Sequence, residues 1–366
     1  MRRPHLFRRH PRLEGRVAWV PLGDFPTPVS PMSRLGAHIG FPNLWVKRDD
    51  LSAQTYGGNK VRKLEFTLAD ARRRGRRTVI TFGALGSNHV LATTVHGGRL
   101  GLSTVGMFVP QPVQEYLRTN VLCNQALGCQ IEYVEGRAGL PARAAHVYLS
   151  KLLGGERPYF LWMGGSSTLG VIGYVEAGLE IGAQVEAGLM PEPAFAFVPA
   201  GTGGTMAGLV LGLALAGLRT RPVCVRVVER SLVNEHTVAL LARRAHAYLS
   251  RIDPSLPELD VSAENVVMLH GQSGRQYARF TARGLEAVEL AGELEGLHLE
   301  GTYSGKALAG MMAFLRASAR RTTTALFIDT HNSAPLAPLM SGGPGPEDLP
   351  GPVREYFTRP IADVEP

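Results

Sequence analysis

From Leu44 onward the chain alternates short runs rich in β-branched and aromatic residues with longer amphipathic stretches, and this alternation constrains the fold more than any other feature. Strands are predicted at Leu44 to Lys47, Thr78 to Phe82, Thr104 to Val109, Gln130 to Val134, Ala194 to Pro199, Val223 to Val228, Val266 to Leu269 and Thr324 to Ile328, with helical patterns in most gaps. Parallel strands need a long crossover, and a helix supplies it, so the expectation is an α/β fold of mainly parallel sheets built from βαβ units. By pattern alone, the first four strands and the last four form two separate sheets. The interruption Gly-Gly-Ser-Ser-Thr-Leu-Gly, starting at Gly164, is expected to mark two lobes with a cleft between them. At 366 residues the chain exceeds the usual size of one core, which fits two lobes. The Pro/Gly-rich stretch Ser341 to Pro352 reads as surface loop.

Several classes are disfavoured. With 45% hydrophobic and 19% charged residues, the chain has a globular rather than a disordered composition. No apolar run reaches the roughly 18 to 20 residues that span a bilayer, and the strongest, Ala207 to Leu218, is interrupted by glycine. The basic start has no apolar segment behind it, so residues 1–20 are expected to be a flexible arm rather than a secretory signal. Cys123, Cys129 and Cys224 are too few and too irregular for a disulfide framework or a zinc knuckle, and a reducing, cytoplasmic setting is expected. The net charge of +8 comes largely from the arm and from the arginines between Ala71 and Arg77. Neither run carries interleaved aromatics, and the second closes a helix, where cations complement the dipole, so no nucleic-acid partner is expected. The histidines are scattered without metal-binding spacing.

Three glycine-rich turns carry the chemistry. The first, Tyr56-Gly57-Gly58-Asn59-Lys60, leads from the strand ending at Lys47, by way of Arg48-Asp49-Asp50-Leu51, into a helix, with Asn59 expected as its N-cap. Lys60 then lies in the first turn beside Arg62 and Lys63, where positive potential favours a neutral, nucleophilic amine. A solvated surface lysine fits the same position. The second turn is Gly86-Ser87-Asn88-His89, where Ser87 or Asn88 caps a helix or the exposed N–H groups and the Ser87 hydroxyl grip a carboxylate. His89 taken alone reads as structural. The third, Gly201-Thr202-Gly203-Gly204-Thr205, joins a strand to an apolar helix and suits a phosphate on the helix N-terminus. A dinucleotide-binding reading competes there, with Glu229 as the ribose-binding acid. Its third glycine is Met206, and it leaves Lys60 and Ser87-Asn88-His89 without a role. Tyr277 and Tyr303 sit in polar, glycine-containing contexts, as cleft tyrosines that stack or shuttle protons, or as core.

Together with Phe25-Pro26-Thr27-Pro28, Gly164-Gly165-Ser166 and Gly173-Tyr174-Val175-Glu176, these segments form an ordered set. From about Phe25 to Leu339 the chain resembles the fold type II, tryptophan synthase β-like, pyridoxal-phosphate enzymes. Within them it is similar to the 1-aminocyclopropane-1-carboxylate deaminase and D-cysteine desulfhydrase family. The resemblance implies pyridoxal 5′-phosphate held as a Schiff base on Lys60, which also serves as the proton-transfer base. It places Asn88 at the cofactor's phenolic oxygen, and Ser87, Asn88 and His89 at the substrate. Gly201, Thr202, Gly203, Gly204 and Thr205 would hold the phosphate with Lys63 assisting, and Thr330 would lie near the pyridine nitrogen. Tyr277 and Tyr303 match two active-site tyrosines. The implied activity is β-elimination or deamination of a small amino acid to a keto acid and ammonia, in a homodimer. The expected division is a larger, cofactor-binding domain of residues 21–61 with 175–366, and a smaller α/β domain of 62–174.

The chain also departs from this family. The deaminases carry glutamate after the second tyrosine, where this chain has Ser304, so the desulfhydrase-like branch is favoured over the deaminase. Gly86 stands where the family has glutamine, Ala278 follows the first tyrosine where glycine is usual, and His331-Asn332 replace two glycines. The last change is expected to add bulk and donors at the cofactor and to alter substrate choice. The competing readings are a nicotinamide-dependent oxidoreductase and a catalytically altered protein that binds the cofactor.

Overall fold

In the computed structural model, which describes residues 2–318 and 322–366, ten strands form two sheets. They are β1 (Val29–Pro31), β2 (Leu44–Lys47), β3 (Thr78–Ala84), β4 (Ser103–Val109), β5 (Gln130–Tyr133), β6 (Tyr159–Leu161), β7 (Phe195–Ala200), β8 (Arg221–Arg226), β9 (Val267–Leu269) and β10 (Ala325–Ile328). The larger sheet has the order β1-β2-β10-β7-β8-β9 and the smaller β5-β4-β3-β6. Every pairing is parallel except that of β1 with β2. The α/β architecture of two mainly parallel sheets flanked by helices is the one expected from the alternating pattern.

The division of strands differs from the pattern reading. β2 does not join the next three strands; it pairs with β10, Leu44 beside Ala325 and Lys47 beside Ile328. A four-residue apolar run suits either parallel sheet, and a partner some 280 positions away leaves no local signature. The place left in the smaller sheet is taken by β6, three residues on the sheet edge that periodicity does not single out.

The helices that matter for the site are α1 (Asn59–Arg73), α2 (Asn88–Arg99), α3 (Glu115–Ala126), α4 (Thr168–Glu186), α5 (Gly204–Leu215) and α6 (Ser304–Ala317). The glycine-interrupted run from Ala207 begins within α5, most of whose residues are buried. There α4 and α5 pack backbone to backbone, since a Cβ at Gly178 would lie 2.5 Å from the Gly212 carbonyl carbon. Glycine is what permits that approach.

The N-terminal stretch is not a loose arm. Residues His5–Arg9 form a helix that buries Leu6 and Phe7, and Leu13 and Val17 are buried beyond it. The backbone N–H groups of His5 and Leu6 each donate to the Glu176 carboxylate at 2.8 Å, and Arg2 pairs with Glu65. The arginines dominate the composition of this stretch, whereas the few apolar residues among them decide its packing. Residues 341–352 are mostly exposed, as expected of a surface loop, and are pinned by the buried Leu349.

Candidate active site

A cavity of about 250 Å³ opens at the carboxyl ends of the strands, and all three glycine turns reach it. Ligands of open α/β sheets lie in this position because strand ends and helix N-termini converge there. Lys60, Ser87, Asn88, His89, Gly201 and Tyr303 all line it. So do Lys63, Thr202, Gly203, Thr205, Tyr277 and Thr330. Of the residues expected at the site, Gly204 alone is not part of the lining; it begins α5 just behind the loop.

Lys60 is the second residue of α1. The N-cap is Gly58, at φ +88°, and it makes no side-chain cap bond, so Asn59 does not cap the helix. Asn59 instead ties three segments together. Its backbone N–H donates to the Thr330 carbonyl at 3.2 Å, its Nδ2 donates to Thr205 Oγ1 at 3.1 Å, and its Oδ1 accepts from Lys60 Nζ at 2.8 Å. Burial lowers the Lys60 pKa to about 8, against an opposing pull from Glu300.

The cause is therefore desolvation and not the neighbouring cations. Arg62 is turned into the interior, where it bonds Asp49 at 2.7 Å and Glu180 at 2.8 Å. Lys47 shares Glu180, and the Tyr174 hydroxyl donates to Asp49 at 2.6 Å. This ionic cluster, with both cations and both carboxylates at most 2% exposed, anchors the first turn of α1 to β2 and α4. Lys63 does face the cavity and donates to the Gly164 carbonyl at 3.1 Å. Its pKa is pushed well down by burial and then by the charge of Lys60.

At the second turn Ser87 caps its helix, as one of its two readings expects. Its Oγ accepts from the Val90 N–H at 3.3 Å as the cap of α2, and the residue also lines the cavity. Asn88 begins the helix, its Oδ1 accepting from Asn120 Nδ2 at 2.9 Å and from the Tyr56 hydroxyl at 3.3 Å. His89 contacts Thr81 Oγ1 through Nε2 at 3.0 Å, and burial drives its pKa well below the usual range, which keeps the ring neutral. The third turn runs from the end of β7 into α5 with Gly203 at φ +79° as N-cap, again without a side-chain cap bond. Ser166 supports this loop: its Oγ lies 2.6 Å from Thr202 Oγ1 and accepts from the Gly204 N–H at 3.2 Å.

Across the cavity the hydroxyls of Tyr277 and Tyr303 are 2.7 Å apart, and burial raises both pKa values, so both are neutral phenols. Ala278, directly after the first of them, adopts φ +63°, the left-handed region that glycine enters more easily. Thr330 follows β10, with its carbonyl engaged by Asn59. His331 lines the cavity, and burial lowers its pKa. Asn332 lines the cavity as well; its Nδ2 donates to the Ala334 carbonyl at 2.8 Å, while its Oδ1 holds the Gly57 N–H at 2.6 Å. Asn332 thereby braces the loop ahead of Lys60.

Four residues of the site are not evident from the sequence. Ser166 is visible there as the end of a lobe-breaking Gly-Gly-Ser that also belongs to the ordered set, but with no role of its own. Glu300 lines the cavity and accepts the N–H groups of Thr302, Tyr303 and Ser304 at 2.7 to 2.8 Å; an acid just ahead of a helix is the available signal. Asn120 leaves no signal within α3. Arg137 lines the cavity mouth and pairs at 3.7 Å with Glu229, the acid that a dinucleotide reading would place on a ribose.

The residues fit pyridoxal phosphate. An amine of lowered pKa stands at one side of the cavity, and at another a glycine loop leads into a helix whose N-cap residue, Gly203, offers no side chain in the place a phosphate would take. That loop has little room for side chains, since a Cβ at Gly201 would lie 3.0 Å from Tyr303 Cε1. Among the described residues, no helix is long and apolar enough to cross a membrane.

Residues 20–330 match the family described as pyridoxal-phosphate dependent enzyme. D-cysteine desulfhydrases of Klebsiella pneumoniae strain 342 and of Klebsiella pneumoniae subsp. pneumoniae are each 34% identical, with 83% of this chain and 88% of theirs aligned. A crystal structure described as an ACC deaminase homologue superposes with a TM-score of 0.75 at 29% identity, covering 90% of this chain and 95% of the other. The processed form of threonine deaminase isoform 2 from Solanum lycopersicum, with a TM-score of 0.58 at 15% identity over 92% of this chain and 91% of its own, shares the fold.

Proposed function

The chain belongs to the pyridoxal-phosphate dependent enzyme family, and from that premise we propose that it eliminates a β-substituent from a small amino acid and releases a keto acid and ammonia, in the manner of a D-cysteine desulfhydrase. The observation that carries the proposal is the Lys60 amine, lowered to about pKa 8 inside a cavity that the glycine-rich Gly201 to Thr205 loop also lines.

In this reading Lys60 would hold the cofactor through its aldehyde, and its amine would serve as the base for the proton at the substrate's Cα. Asn59 orients the amine. Gly201, Thr202, Gly203, Gly204 and Thr205 receive the phosphate, with Ser166 bracing the loop and Lys63 adding positive potential when protonated. Asn88 would hold the phenolic oxygen, and Thr330 would serve the pyridine nitrogen. Ser87, Asn88 and His89 bind the substrate carboxylate at the N-terminus of α2, where a neutral imidazole presents no excess charge. The Tyr277–Tyr303 pair hands a proton to or from the departing group. Pyridoxal phosphate, when bound, supplies the electron sink that lowers the cost of a carbanion at Cα.

The ACC deaminase homologue motivates a second reading, ring opening of a cyclopropane amino acid. Ser304 argues against it, since its Oγ accepts from the Glu300 N–H at 2.9 Å and the residue is fully buried, so it offers no carboxylate to the cofactor. We assign residues 21–61 with 175–366 to the larger domain and 62–174 to the smaller, and we place the enzyme in the cytoplasm as a homodimer. The test is a pair of measurements on purified protein: the absorption of bound cofactor, and keto-acid release from a panel of D- and L-amino acids. A yellow protein that releases pyruvate from D-cysteine is expected. A protein that takes up no cofactor defeats the proposal.

A further inference from the structure

The tyrosine pair is held from across the cleft. Tyr116, on α3 of the smaller lobe, accepts a hydrogen bond from Thr302 Oγ1 at 3.1 Å, and Thr302 immediately precedes Tyr303. Its ring lies over Phe280, with centroids 6.3 Å apart and planes 16° from parallel, and Phe280 is three residues beyond Tyr277. One side chain of the smaller lobe thus touches both segments that carry the pair. The phenols are near enough for Tyr277 to oppose ionisation of Tyr116, and Tyr116 that of Tyr303.

Tyr116 is in turn fixed by Gln111. The Gln111 Nε2 donates to the Tyr116 hydroxyl at 3.0 Å, while its Oε1 accepts the Gly86 N–H at 3.0 Å, beside Ser87. The arrangement depends on Gly86 having no side chain. A Cβ there would lie 2.7 Å from Tyr116 Cε2 and 2.9 Å from Gln111 Nε2, so the volume beside the turn is already filled by these two residues. The Gly86 carbonyl accepts from Asn120 Nδ2 at 2.9 Å, and the same amide reaches Asn88 Oδ1 at 2.9 Å. With two hydrogen bonds accepted, the Tyr116 hydroxyl has no spare lone pair, and its position is set by groups from both lobes.

We propose that Tyr116, held by Gln111 in the space that Gly86 leaves, is a positioning residue that sets the Tyr277–Tyr303 pair against the Ser87-Asn88 turn across the cleft. Nothing in this requires Tyr116 to touch substrate. Removing its hydroxyl leaves the Thr302 hydroxyl and the Gln111 amide without their partner and frees the tyrosine segment to shift. The inference rests on the elimination reading and adds to it a device that couples the two lobes.

The experiment uses the cofactor-loaded enzyme with Tyr116→Phe, Thr302→Val, Thr302→Ser and the double variant Tyr116→Phe/Thr302→Val. Tyr116→Phe and Thr302→Val are expected to lower kcat about 10- to 100-fold, the scale of a misplaced reacting group. KM and cofactor affinity should stay within about twofold, as for an interaction that matters after binding. Both variants should also displace the alkaline limb of the kcat–pH profile, which loss of stability alone does not do. Thr302→Ser keeps the donor and should restore kcat. Because both changes break the same bond, the double variant should fall little below the worse single one. Wild-type kcat and pH profile in Tyr116→Phe and Thr302→Val overturn the proposal, as do losses that multiply in the double variant. If Tyr116→Phe does not fold, the contrast between Thr302→Val and Thr302→Ser decides the matter. A wild-type protein that binds no cofactor or releases no keto acid overturns the functional reading itself, an outcome distinct from unchanged kinetics in the variants.

Discussion

Lys60 Nζ donates to Asn59 Oδ1 at 2.8 Å, so the amine read as the nucleophile is aimed by the residue directly before it, which the sequence alone suggests as a helix cap. The same Asn59 side chain reaches Thr205 in the loop read as the phosphate site. Asn59→Ala should therefore weaken cofactor binding and turnover together, by about 10-fold each, the scale of losing one buried hydrogen bond of about 1 to 1.5 kcal/mol. Titration of the apoprotein with pyridoxal phosphate, followed by absorbance, measures the first effect. Lys60→Ala should abolish both the absorbance and turnover.

The Lys60 pKa of about 8 predicts a pH dependence. Capture of the aldehyde needs the neutral amine, so the rate of cofactor uptake should rise with pH through about 8 and level off above it. Stability has the same sign. A lysine lowered from 10.5 to about 8 is protonated in the unfolded chain but not in the fold between those values, so this group makes the apoprotein more stable as pH rises across that window. Stopped-flow uptake at several pH values checks the first part. Loss of the slope in Lys60→Met, measured by denaturant unfolding, checks the second.

Arg62 neutralises two buried carboxylates, and its removal leaves Asp49 and Glu180 facing each other with only Lys47 to compensate. Arg62→Leu should cost about 3 to 5 kcal/mol, as is usual when one partner of a buried ionic group is lost. Urea unfolding of the variant measures it. Replacing an exposed arginine such as Arg219 should change stability by less than about 0.5 kcal/mol.

Gly203 turns the third loop at φ +79°, and a Cβ added there would lie 3.2 Å from Val238 Cγ2. Gly203→Ala should therefore cost about 1 to 2 kcal/mol for the left-handed backbone alone. It should also lower the affinity for pyridoxal phosphate and for inorganic phosphate as a competitor of its uptake. Unchanged uptake in a destabilised protein would mean that this loop does not hold the phosphate.

Tyr277→Phe and Tyr303→Phe each remove one hydroxyl of a 2.7 Å pair. Each should lower kcat by about 100-fold, within the range of general acid–base contributions. The losses should not multiply in the double variant if the two hydroxyls work as one proton-handling unit. Cofactor absorbance should survive in all three.

What can be read from the chain alone is local chemistry. Lys60, Ser87 and the Gly201 to Thr205 loop are legible because a strand, a glycine turn and a helix start follow one another over a short stretch, and the residues of that turn decide where N–H groups point. By their neighbours Tyr277 and Tyr303 are legible only as polar-context tyrosines, and it is the family resemblance that marks them as active-site residues. Their 2.7 Å contact joins residues 26 positions apart and leaves no periodic trace. Tertiary structure alone decided that β2 pairs with β10, that Arg62 turns inward to Asp49 and Glu180, that buried Leu6 and Phe7 anchor the basic N-terminal stretch, and that burial rather than neighbouring charge lowers the Lys60 pKa. It also decided that Tyr116 and Gln111 fill the space at Gly86. The physical reason is the same in each case. Turn geometry is set by adjacent residues, whereas desolvation, ion pairing and sheet partners depend on which distant segments the folded chain brings into contact.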